Sequence, residues 1–221
     1  MASAALGKQD GVAKQASLTV VKADRYSDGQ AKLAPLIWID ALKQVYDDVK
    51  ANHKGSAVVS MSLGFNDAED GDSDQVKTLT MALKDLFPKV LKPLIGDLDT
   101  PVFVTAGNLA HQYPKVNTVP AVLTADAVPD MVVVGGVAAD GEHAHYYQDA
   151  DYVKIYAPAD EVETASFITD DAYENIDGTS AGKALFPIAC TELFTDDFGS
   201  SNCHDCRARR ILHGPGRQRR S

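Results

Sequence analysis

Six histidines, three cysteines and 31 carboxylates are the raw material for chemistry in this 221-residue chain, and most of them are scattered. His53, His111, His143, His145, His204 and His213 read as surface polar residues, because none has companions at metal-ligand spacing. Asp67, Glu69, Asp70, Asp72 and Asp74 form an acidic run that reads as a solvated loop and helix cap rather than a calcium loop. Cys203 and Cys206, with His204 between them, lack the second ligand pair of a zinc ribbon. Residues 207–220 are rich in arginine but carry no aromatic interleaving that would suit a nucleic acid. Four short segments say more: Ser62-Leu63-Gly64, Thr105-Ala106-Gly107-Asn108, Gly135-Gly136 and Gly178-Thr179-Ser180. The first three end apolar runs with small residues that let another backbone approach closely. Each alone is a turn, Asn108 a turn asparagine and Ser180 a helix cap. Three such ends on one rim describe a groove.

The elements that must position them are set by periodicity. Residues 17–22 (SLTVVK), 57–63 (AVVSMSL), 101–105 (PVFVT) and 131–137 (MVVVGGV) are Val-rich runs of strand length, with 152–156 (YVKIY) a fifth. They lack strict alternation, as strands covered on both faces do. Residues 34–52 and 74–86 show helical spacing, the second capped by Asp72, Ser73 and Asp74. Pro88 and Pro93 are expected to interrupt its continuation. Strand, helix, strand, helix, strand predicts an α/β fold with a doubly wound parallel sheet and helices on both faces. Ligands in such sheets bind beyond the carboxyl ends of the strands.

Composition is that of a globular chain: 45% apolar, 24% charged, net charge −10. That charge argues against a nucleic-acid partner. No run approaches the ~18 apolar residues of a membrane helix, and residues 1–6 lack the pattern of a signal peptide. The average hides a break after Ala181. Residues 1–181 carry 13 Lys, one Arg and 27 acids, whereas the last 40 residues carry one Lys, six Arg and four acids. All three cysteines lie in that second part. Two units are therefore expected, 1–181 as the globular domain and 182–221 as an unrelated, disordered tail. No phosphate-binding glycine motif succeeds any strand, which speaks against a nucleotide-binding α/β domain.

The ordered set VVSMSLG, PVFVTAGN, VVVGGV, YVKIYAP and ENIDGTSA resembles the subtilisin-like serine proteases, and most of all their fungal secreted branch. Met1-Ala2-Ser3-Ala4-Ala5-Leu6-Gly7 and Gly11-Val12-Ala13-Lys14 resemble the segment immediately after the catalytic His-Gly-Thr motif in that family. The resemblance implies that Ser180 is the nucleophile and Asn108 the side-chain oxyanion donor. It implies that Ser62, Leu63 and Gly64 pair with the substrate backbone, and that Ala106 and Gly107 wall the pocket before the scissile bond. It further implies polypeptide substrates, a monomer, no required cofactor, a secreted protein, and calcium sites in many relatives that cannot be placed here.

Two departures limit what this chain is expected to do. The family's Asp-Ser/Thr-Gly and His-Gly-Thr motifs are absent from the sequence. After Ala181 the family's small residues and proline give way to Gly182-Lys183-Ala184-Leu185-Phe186, so the domain is expected to be incomplete at both ends. The expected activity is that of a serine endopeptidase working through an acyl-enzyme on Ser180, inactive in this chain. The alternative is a non-catalytic remnant that binds peptides.

Overall fold

A computed structural model describes residues 2–7, 11, 13, 16–23, 34–166, 168–169 and 171–184. Four parallel strands form the central sheet: β1 (Val59–Met61), β3 (Val102–Thr105), β5 (Val132–Val137) and β6 (Ile155–Pro158), in the order β1-β3-β5-β6. Two antiparallel pairs flank it. β2 (Phe65–Asn66) pairs with β4 (Thr118–Val119), and β7 (Val162–Ala165) pairs with β8 (Tyr173–Ile176). Every strand of the central sheet runs in the same direction, with Met61 opposite Val104, Thr105 opposite Val134 and Gly136 opposite Ala157. The carboxyl ends of β1, β3 and β5 therefore share one rim.

Alternate residues of these strands feed opposite faces. Val102, Val104 and Val133 join the larger core with Leu83, Phe87, Leu91 and Leu94, all fully or almost fully buried. Phe103, Val134, Ile155 and Ala157 form the core of the other face. Helices α2 (Ala34–Asp48) and α3 (Asp74–Gly96) pack together and cover the first face. On the second face lie α1 (Ala2–Leu6) and a short helix α4, residues 179–184. Ala4, Val162, Ala181 and Ala184 pack together there, and Gly182 rests against Ala157. Helices thus flank both faces of the parallel sheet.

Two expectations need correction. Residues 17–22 form no strand; Leu18 and Val20 are 53% and 75% exposed. Strand propensity acts through neighbours, and among the described residues nothing pairs with this run. Helix α3 does not stop before Pro88 but passes through Pro88 and Pro93 to Gly96. An interior proline costs ~3 kcal/mol, whereas burying Leu83, Phe87, Leu91 and Leu94 contributes ~1.5–3 kcal/mol each. The packed face wins. Ser73 caps this helix as expected, its hydroxyl accepting from the Val76 N–H at 3.4 Å. Helix α4 runs through Gly182, Lys183 and Ala184. The rest of the expected tail, including Cys190, Cys203, Cys206, His204 and His213, lies outside the described residues.

Candidate active site

The sheet rim and α4 converge on two residues. Beyond β3 the chain keeps one more ladder bond, Ala106 N–H to Val134 O at 3.0 Å, which buries Ala106 completely. It then turns at Gly107, whose φ is +111°. A β-carbon here would stand 2.0 Å from Gln148 Oε1, so only glycine fits. Asn108 comes next on this turn, its side chain directed at the loop before α4. Its Oδ1 accepts from the Thr179 N–H at 2.9 Å and from the Thr179 hydroxyl at 2.8 Å. With the oxygen so engaged, the amide Nδ2 bonds to nothing among the described residues and remains a free donor. Thr179 is fully buried, and Ser180 next to it is half-buried. The Ser180 hydroxyl has no partner among the described residues.

The loop that presents Ser180 is tied down at Gly178, which has φ +136°. The Gly178 N–H lies 2.8 Å from Ala159 O and 2.9 Å from Tyr146 Oη. Asp177 Oδ1 accepts from the Glu161 N–H at 2.8 Å, fastening the loop to the β6–β7 corner a second time. Gly135 and Gly136 serve packing rather than an open groove. A β-carbon on Gly135 would meet the Tyr147 and Tyr156 rings at 2.7–2.8 Å, and one on Gly136 would stand 3.2 Å from Thr179 Cγ2.

The expected substrate edge lies on the same rim. Ser62 and Gly64 are exposed just past β1, and Leu63 is half-buried. Gly64 lies so close to Thr118 of β4 that a β-carbon would come within 2.9 Å of it. Ser62, Leu63 and Gly64 thus stand beside Ala106 and Gly107 at the ends of neighbouring parallel strands.

Two residues that sequence reading passed over hold this site together. Gln148, fully buried, donates through Nε2 to Tyr113 O, Lys115 O and Asn117 Oδ1 at 2.9–3.0 Å, bracing the segment after Gly107. The Tyr146 hydroxyl lies 2.6 Å from Asp160 Oδ1 and 2.7 Å from Ala159 O. Burial, and then the Asp160 carboxylate, push its ionisation well above the usual tyrosine range. Both belong to residues 140–151, a stretch with no motif to flag it.

Among the described residues no base meets the serine. None of His53, His111, His143 or His145 hydrogen-bonds to Ser180, and all four are exposed. His143 stacks on Tyr156 with centroids 4.9 Å apart, and His145 meets the edge of Tyr146 at 5.1 Å. One turn beyond Ser180, Lys183 is 2% exposed and has no partner among the described residues. Burial alone lowers its pKa from 10.5 to about 7. Among the described residues no group of three His, Cys, Asp or Glu could hold a metal ion. The acidic run is used otherwise: Asp67 pairs with Lys84 at 2.5 Å, and Asp72 accepts from the Glu69 N–H at 2.8 Å.

Residues 1–185 match the sequence model described as the Subtilase family. No curated protein matches the chain. Among solved structures, the prenylagaramide maturation protease PagA shares 19% identity at a TM-score of 0.58, over 87% of this chain and 62% of that one. A cold-adapted subtilisin-like serine proteinase shares 20% at 0.56, over 88% and 59%. The PatG macrocyclase in complex with peptide shares 16% at 0.51, over 72% and 41%. The chain therefore spans less than two thirds of the length of each of these structures, and at such identities the likeness is one of fold.

Proposed function

Because this chain belongs to the subtilase family, we propose that its rim carries the nucleophile and oxyanion half of a serine endopeptidase site. The observation that carries this reading is the pairing of Asn108 with Thr179, which spends the amide oxygen and leaves Nδ2 free beside Ser180. In the proposed reaction, Ser180 Oγ gives up its proton to a base and attacks the scissile carbonyl carbon; the C–N bond breaks, the amine leaves with a proton, and water hydrolyses the acyl-enzyme ester to release the carboxylate and regenerate Ser180. Asn108 Nδ2 and the Ser180 N–H stabilise the oxyanion. The substrate is a polypeptide in extended form, its backbone paired with Ser62, Leu63 and Gly64 by strand addition. Ala106 and Gly107 wall the pocket for the side chain before the cleaved bond.

The step for which the described residues offer no histidine is proton transfer, since a base must reach the hydroxyl within hydrogen-bond distance. On this reading turnover needs an added base, and a peptide-binding role without catalysis is the second reading that this gap favours. Chemical rescue separates the two. Hydrolysis of an activated peptide ester is measured with and without free imidazole as an added base, for the chain and for Ser180→Ala. The expected result is turnover that rises with imidazole and disappears in Ser180→Ala. Hydrolysis indifferent to Ser180 at every imidazole concentration overturns the catalytic reading.

A further inference from the structure

We propose that Tyr146 is a positioning residue for the nucleophile: its hydroxyl, anchored on Asp160, fixes the Gly178 amide and so the backbone that presents Ser180. Three separate segments meet at this hydroxyl. Tyr146 comes from the loop after β5, Asp160 from the corner after β6, and Gly178 from the loop before α4. A phenol has one proton and two lone pairs. The acceptors for the proton are Asp160 Oδ1 at 2.6 Å and Ala159 O at 2.7 Å. A carboxylate acceptor makes the bond to Asp160 the stronger, charge-assisted one. The lone pairs then face the Gly178 N–H at 2.9 Å. Donating to a carboxylate enriches the phenol oxygen, so the two bonds reinforce one another. Gly178 needs the support, since its φ of +136° leaves a backbone without a side chain to steady it.

Asn108 grips the next residue, Thr179, through its Oδ1. Ser180 is therefore presented by two consecutive peptide units, one held by Tyr146 and Ala159 and the other by Asn108. Tyr146 need not touch a substrate to act. It decides where the serine backbone N–H points, and oxyanion stabilisation depends on that direction within a few tenths of an ångström. This consequence rests on the reading of Ser180 as nucleophile, whereas the clamp itself does not.

Amide hydrogen exchange of the full chain at Gly178 and Thr179 tests the clamp whether or not Ser180 proves reactive. Tyr146→Phe keeps the ring and removes only the hydroxyl. Exchange at these two amides is expected to rise roughly three- to tenfold, while β3 and β5 keep their protection. Asp160→Ala should match it, and Asp160→Asn, which still accepts the phenol proton but without the charge, should fall between it and the unmodified chain. Tyr147→Phe removes the neighbouring hydroxyl, which bonds Asp149 and Tyr156 instead, and should leave Gly178 unchanged. In the imidazole-rescued ester assay, Tyr146→Phe should lower kcat with little change in KM. Unchanged exchange at Gly178 and Thr179 in Tyr146→Phe overturns the proposal, as does an equal rise throughout β3 and β5. Unchanged exchange at these amides in Asp160→Ala overturns the role given to the carboxylate.

Discussion

Asn108 does two jobs with one amide, and substitution can separate them. Asn108→Asp keeps an oxygen for Thr179 but loses the Nδ2 donor, so thermal stability should hold while imidazole-rescued turnover falls. The expected loss is ~10²–10³, the cost of removing such a donor in a subtilisin. Asn108→Ala should lose turnover and melting temperature together, because it also orphans the Thr179 N–H and hydroxyl. Ser180 and Asn108 were marked out in the sequence by short motifs at a strand or helix end. Gln148 and Tyr146 were not. Their partners lie 31 to 39 residues away for Gln148 and 32 for the Gly178 amide of Tyr146, and no local pattern encodes a bond that only the fold creates.

Lys183 gives the clearest pH dependence at this scale. Its amine releases its proton at about 7 in the folded chain against 10.5 ordinarily. Between those values the unfolded chain binds more protons, so stability rises with pH from 7 toward 10.5. Below 7 the whole penalty of a buried charge is present. Each unit of difference is worth ~1.4 kcal/mol. Urea unfolding from pH 6 to 10 should show this rise, and Lys183→Met should be more stable near pH 6 and lose the slope.

At the scale of elements, hydrophobic period identified what packing could reward. The runs at 57–63, 101–105, 131–137 and 152–156 contain β1, β3 and β5 and overlap β6. The run at 17–22 carries the same residue types yet forms no strand, because strand formation is decided by what lies alongside. Helix α3 shows the converse, with two prolines overruled by a buried stripe. Phe87, fully buried at its centre, is the side chain that stripe depends on most. Phe87→Ala should cost ~3–5 kcal/mol, read as a lower urea midpoint with an unchanged slope.

For the molecule as a whole, the sequence specified a parallel sheet with helices on both faces, since each strand leads into a connection that must cross over. What it left open was the surface. Leu18, Val20 and Val21 lie exposed in one extended run, at 53%, 75% and 44%, and β1 is an edge strand. Exposed apolar strand-forming runs and open edges are templates for association between chains. The chain is therefore expected to be poorly soluble. Val20→Lys should raise the concentration at which light scattering first appears, and an unchanged threshold would point to another surface.

The bond from Asn108 to Thr179 joins positions 71 residues apart, and the Ser3 hydroxyl accepts from the Ala165 N–H across 162. Closing a longer loop costs more entropy, though the cost rises slowly with length, and folds rich in such contacts form slowly. The expected consequence is one of timing: the geometry around Ser180 needs its distant segments closed, so a half-folded copy is expected to hold no organised serine.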